Sequence, residues 1–194
     1  MNILTGQSPR LFWTVLILLF LSLTNPCEAK KSYQTKIADY KIPDVTLINQ
    51  DGKKISLESL LNGDKPVLLD FIYATCTTIC PILSVGFSHF QVKLGIEADK
   101  VQLVSISIDP DNDTPEIMRE YLQRYKSQPG WDFLTGKRQD IIQVMKAFDA
   151  YVINKMNHYP MTILHTPGSK EWVRIDGLLG VKDLINEYHK LAEK

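Results

Sequence analysis

"VLLDFIYATCTTICPILS", residues 67 to 84, decides how this chain is read. Val67 to Tyr73 is an apolar run of buried-strand length. Cys76 and Cys80 follow, and Pro81 stands directly after the second cysteine. Leu83, Phe87, Phe90 and Leu94 then fall on one stripe of a helix that runs from near Cys80 to Leu94. The dithiol therefore sits where a core strand turns into a helix. A helix N-terminus carries partial positive charge and free N–H groups, which favour thiolate over thiol. Thr77 or Thr78 is placed to cap that helix, and Pro81 suits its first turn. Thiolate both attacks disulfides and binds soft metals, so both chemistries suit this spot. A structural disulfide is the plainer alternative, but one closing so short a loop constrains little of the unfolded chain.

Outward from this stretch, "VQLVSISI", Val101 to Ile108, reads as a second buried strand. "DTPEIMREYLQRY" starts a helix, with Asp113 and Glu116 spaced as a capping box and Pro115 in the first turn. Trp131 to Leu134 reads as a short strand and Ile141 to Tyr151 as an amphipathic helix. Met161 to His165 and Trp172 to Ile175 flank the turn "TPGSKE" as an antiparallel pair. Val181 to Ala192 closes as a helix with Leu184, Ile185, Tyr188 and Leu191 inward. Upstream, "VTLINQDGKKIS" is a hairpin signal around Asp51-Gly52, and Ser59 to Leu61 fits one helical turn. Strands alternating with helices imply parallel pairing, and the last hairpin adds antiparallel edges. The order predicts an α/β, thioredoxin-like fold with an N-terminal β-hairpin and an inserted strand-helix, spanning residues 42–194. Its chemistry belongs at the strand C-terminal ends, where the dithiol falls.

The chain has 194 residues, 44% of them hydrophobic and 23% charged, which fits one globular domain with appendages. Lys and Arg balance Asp and Glu at 22 each, so there is no basic excess to bind nucleic acid. Residues 1–29 are a different material: Arg10 precedes the uncharged run Leu11 to Leu23. That run is short for a membrane span, which needs about 20 residues, and suits an export signal. "CEA" offers cleavage at Ala29, which would remove Cys27; the alternative is an uncleaved N-terminal anchor. "TNPC" lacks the small residues that usually precede a lipidated cysteine. Each reading exports the domain into an oxidising compartment, as a periplasmic protein or one anchored in the inner membrane facing the periplasm. Residues 30–41 are polar and read as a tether.

Two thiolates alone give a linear or incomplete metal site, so a third ligand among the histidines would decide the question. His189 lies on the exposed side of the last helix, His89 inside the helix after the dithiol, and His165 at the end of a core strand. His158 differs, standing in a loop that enters the strand next to the dithiol strand in a thioredoxin-like sheet. It is the candidate third ligand. "DPDNDTPEIMRE" matches an EF-hand loop at Asp109, Asp111, Asp113 and Glu120. However, Thr114 stands where the turn glycine belongs and no helix precedes it, so capping explains the run better than calcium.

"FIYATCTTICP", "VSISIDPDNDTPEIMREYL" and the histidine of "NH" followed by "TILHTPG" together resemble the Sco (SenC) family. The resemblance covers Ile42 to the C-terminus. It implies a thioredoxin-fold protein, exported or tethered to a membrane, that binds copper through Cys76, Cys80 and His158. It also implies a role in assembling the copper centre of cytochrome c oxidase, with oxidase subunit II as the receiving partner. Two thiolates and an imidazole suit Cu(I), with Cu(II) accessible and zinc ranking second. Some members resemble thiol-disulfide reductases, in which the Cys76/Cys80 pair cycles as a redox disulfide and draws on a thiol donor. A peroxidase reading fails because "FIYATCTTIC" lacks the proline of the usual P-x-x-x-T-x-x-C frame.

Three departures bear on the choice. Asn157 stands where many members carry an acid that tunes the histidine, and "TTI" fills the motif where "PDI" is common. Pro160 lies eight residues before Gly168, much as the cis-proline of thioredoxins precedes a hairpin glycine; an ordinary extended proline is the alternative. Asp109 and Pro160 are the expected site-flanking residues.

Overall fold

The computed structural model of the chain describes residues 32–192. The signal or anchor segment, Cys27 included, lies outside them. Among the described residues no helix is long and apolar enough to cross a membrane.

The strands are β1 (Tyr33–Ala38), β2 (Thr46–Asn49), β3 (Lys54–Ser56), β4 (Val67–Ile72), β5 (Gln102–Ser107), β6 (Trp131–Thr135), β7 (Met161–His165) and β8 (Trp172–Gly177). The helices are α1 (Leu57–Leu61), α2 (Cys80–Leu94), α3 (Pro115–Arg124), α4 (Arg138–Ala147) and α5 (Val181–Ala192). All eight strands form one sheet in the order β1-β8-β7-β4-β5-β6-β2-β3. β4, β5 and β6 run parallel, joined by helical crossovers, and β7 returns antiparallel to β4.

β4 is buried along its whole length, and the pleat sends its side chains alternately to two cores. Leu68 and Ile72 meet Leu83, Phe87 and Phe90 of α2, Met118 and Tyr121 of α3, and Leu184 and Tyr188 of α5. Val67, Leu69 and Phe71 meet Leu57 and Leu61 of α1, Ile141, Val144 and Met145 of α4, and Phe148. Helices on both faces explain why the central strands read as continuous apolar runs. The β2–β3 hairpin turns at Gly52, whose φ of +75° lies where a side chain is strained.

Two boundaries and two caps differ from the sequence reading. Tyr33–Ala38, expected within a tether, forms β1 and pairs with all of β8. Its side chains alternate poorly, since only Tyr33 is buried, so backbone pairing rather than an apolar face makes it a strand. α4 spans residues 138–147 rather than 141–151, and Phe148 after it packs into the core. α3 is capped by Thr114, whose hydroxyl accepts from the Ile117 N–H, rather than by Asp113. α2 has Ile79 as its N-cap and no side-chain cap, so neither Thr77 nor Thr78 fills that role.

Candidate metal and dithiol centre

The loop from β4 to α2 carries both cysteines at the C-terminal end of the sheet. Cys80 is the first residue of α2 and fully buried; Cys76 is 6% exposed. Both are free thiols. His158 reaches the same end of the sheet, just after a single 3₁₀ turn over Lys155–Asn157 and just before β7, the antiparallel neighbour of β4. Cys76, Cys80 and His158 each present a donor atom, and the three lie within 4.8 Å of one another. Donors bound at about 2.0–2.3 Å stand roughly 4 Å apart around a trigonal ion, so less than about 1 Å of closure completes a site. Among the described residues this is the group of three or more Cys, His, Asp or Glu side chains with metal-holding spacing.

The histidine is held in the form a metal needs. Its Nδ1 lies 2.7 Å from the Lys155 carbonyl, which accepts only, so Nδ1 carries the hydrogen. Nε2 is then left with its lone pair, 3.1 Å from Cys80 Sγ. Burial lowers the His158 pKa, against the pull of the Lys155 carbonyl, and keeps the ring neutral. This carbonyl fills the orienting role that an acid at Asn157 would otherwise serve.

The two thiols differ electrostatically. Burial disfavours the Cys76 thiolate, but hydrogen bonds from the side chains and backbone of Thr78 and Cys80 outweigh it and lower the pKa to about 7. For Cys80, burial comes first, and the neighbouring Cys76 and the charge of Asp70 push its pKa further up. Cys76 is thus the more readily ionised thiol of the two and Cys80 the one burial keeps protonated. Thr78 serves the site by bonding to Cys76 Sγ at 3.5 Å instead of capping the helix.

The acidic loop after β5 holds both halves of the centre together. Asp113 is fully buried; its carboxylate accepts from the Ala74 N–H at 3.2 Å and the Ser107 hydroxyl at 2.5 Å. It thereby ties the cysteine loop to β5. Asp109 pairs with Lys155, in the turn that leads to His158, and accepts both oxygens' bonds from the Asn112 amide at 3.0 Å. Lys155 also stands 5.0 Å over the Tyr73 ring, and Tyr73 meets the His158 ring edge-on at 5.2 Å. Asp109 thus contacts the turn that leads to His158. The acids do not converge on a calcium site, because Asp111 instead pairs with Arg138 and Asp113 points inward.

Pro160 follows His158 by two residues, and its carbonyl accepts from the Gly177 N–H of β8 at 2.9 Å. Its peptide bond is trans, so the extended-proline reading holds and the cis arrangement does not. His165 is buried, stacked on Trp172 at 3.9 Å, away from the thiols' donor group. His89 and His189 are exposed on helix surfaces. Sequence reasoning passed over Asp70, Tyr73, Lys155 and Met156. The signal for Asp70 was an acid inside an apolar strand run; nothing local marked Lys155 and Met156 beyond their nearness to His158.

The SCO1/SenC family model matches residues 34–170. A SCO1 protein homolog of Bacillus subtilis is 40% identical over 117 residues, covering 59% of this chain and 60% of that protein. The chain thus spans less than two thirds of that relative's length. Among solved structures, BsSco, described as a member of the Sco family of cytochrome c oxidase assembly proteins with a disulfide switch, is 31% identical. Its TM-score is 0.66, covering 81% of this chain and 96% of that one. Bradyrhizobium japonicum ScoI, solved with copper bound, is 28% identical with a TM-score of 0.59, covering 73% and 91%. The chain belongs to the SCO1/SenC family, and its fold is the thioredoxin-like one of these neighbours.

Proposed function

We propose that this SCO1/SenC protein is an exported copper metallochaperone: it takes copper as cargo on Cys76, Cys80 and His158 and passes it to the copper centre of cytochrome c oxidase. The observation that carries the reading is the His158 ring. Its Nδ1–H is committed to the Lys155 carbonyl and its Nε2 lone pair faces Cys80 Sγ at 3.1 Å. A dithiol exchange needs no such neutral, oriented imidazole; a third ligand does. The copper-bound ScoI and the oxidase-assembly description of BsSco support the choice of metal and partner. Two thiolates and an imidazole favour Cu(I), and the imidazole keeps Cu(II) within reach. The receiving surface is that of oxidase subunit II. The uncharged run Leu11 to Leu23 supports export to the periplasmic side, free or anchored.

A second reading, a thiol-disulfide reductase, rests on the asymmetry of the thiols. Cys76, with its pKa near 7, attacks a partner disulfide, and Cys80 then displaces the reduced partner and closes the Cys76–Cys80 disulfide. A thiol donor would restore the pair.

His158→Ala separates the two. Cu(I) affinity is expected to fall by roughly 10–100-fold, the scale on which lost supporting groups weaken metal sites, because two thiolates still hold Cu(I) linearly. Cu(II) affinity falls further, and reduction of a model disulfide changes little. His165→Ala and His89→Ala leave both properties near wild type. Competition titration with chromophoric copper chelators measures the affinities. Unchanged copper binding in His158→Ala, with weakened binding in His165→Ala, would sink the ligand assignment.

A further inference from the structure

Met156 is 65% exposed, an open position for a thioether side chain. Exposure alone says little, since single apolar residues are common on surfaces. The direction of the sulfur says more. Met156 Sδ accepts a hydrogen bond from the Tyr73 hydroxyl at 3.3 Å. The Tyr73 ring meets the His158 ring edge-on at 5.2 Å. The thioether is therefore tied to Tyr73, the ring that packs on His158, while its side chain remains open to solvent. Its backbone is fixed as well: the Met156 N–H donates to the Asn154 side-chain oxygen at 2.9 Å, and the same 3₁₀ turn ends at His158.

We infer that Met156 is a fourth donor at this centre, a transient thioether ligand at its mouth that receives the Cu(I) cargo before Cys76, Cys80 and His158 do. The inference rests on the copper reading above. Thioether sulfur is soft and suits Cu(I). It carries no proton to lose on binding a metal, unlike a thiol. It is also a weaker donor than thiolate, so a metal held there is given up to the deeper pair. Tyr73 links the two: its hydroxyl holds the Met156 sulfur and its ring meets His158, and releasing Met156 costs one weak hydrogen bond. In the transfer no electron moves. One copper–thioether bond breaks as copper–thiolate bonds form, and the thiol protons leave to solvent.

The test uses the reduced full chain and Cu(I) supplied as its bicinchoninate complex, with uptake followed by stopped-flow loss of the chelate colour. Met156→Leu keeps the side-chain volume and removes the donor. Its uptake rate is expected to fall about tenfold, equivalent to about 1.4 kcal/mol in the barrier, with final stoichiometry and equilibrium affinity unchanged. Met156→His, which returns a donor, is expected to restore the rate. An unchanged rate in Met156→Leu overturns the inference while leaving the copper reading intact. A rate and an affinity lost together, with no rescue by Met156→His, also overturns it, because the turn bearing His158 is then what was disturbed. Wild-type protein that takes no Cu(I) overturns the copper reading itself.

Discussion

Cys80→Ser is expected to lower Cu(I) affinity by about 1,000-fold, or about 4 kcal/mol, and closing the Cys76–Cys80 disulfide is expected to do at least as much. Serine oxygen is hard and stays protonated near neutral pH, so it replaces a thiolate neither in softness nor in charge. Cys80 is also the donor in contact with His158 Nε2, at 3.1 Å. Its loss therefore removes the sulfur that the His158 lone pair faces. The disulfide consumes both thiolates at once. Copper content of the soluble domain after chelator challenge, in reduced wild type, oxidised wild type and Cys80→Ser, measures the effect. Equal retention by the oxidised protein would mean that the metal does not sit on the dithiol. The domain folds around apolar contacts spread over two cores, so circular dichroism of the variant should remain that of wild type.

The second large effect concerns stability. Asp70 lies in the middle of β4, fully buried, and neither carboxyl oxygen has a hydrogen-bond partner. Burial raises its pKa from 3.8 to about 7; Ser105, its cross-strand neighbour, lowers it in part. The Ser105 hydroxyl also accepts from the Trp131 indole at 3.0 Å. In the unfolded chain Asp70 ionises above about pH 4, and in the folded chain only above about pH 7. Between these values the folded state holds one more proton, so stability contributed by this group falls as pH rises through that window. A shift of this size corresponds to about 4 kcal/mol of penalty at pH 8, as an upper bound. Asp70→Asn removes the charge and keeps the shape. It is expected to be more stable than wild type by about 2–3 kcal/mol at pH 8, with the advantage shrinking toward pH 5. Asp113, raised by burial to about 6, contributes with the same sign in both proteins and cancels in the difference. Urea unfolding of the reduced, metal-free proteins across this pH range is the measurement. A variant less stable at pH 8, or a difference that does not vary with pH, would show that the carboxylate is compensated in the fold.

The sequence by itself determined most of the frame. β4, β5 and α2 are legible because burial on both faces makes strands continuously apolar and one-sided burial gives a helix its stripe. Those periodicities place Cys76 and Cys80 at a strand-to-helix turn without any structure. The family motifs added His158 and the acidic loop. What the sequence could not hold is anything decided by contacts between distant segments. β1 is a strand because the backbone of β8 lies beside it, not because of its own side chains. Asp113 matched a cap pattern, yet its carboxylate reaches the Ala74 N–H, 39 residues away in sequence, and leaves the cap to Thr114. Asp109 finds Lys155 across 46 residues, and Tyr73 finds Met156 across 83. Cap and strand signals are local, so a short window carries them. The tautomer of His158, the inequality of the two thiols and the direction of the Met156 sulfur depend on which groups the chain brings together and how much water it excludes, and folding in three dimensions alone decides that.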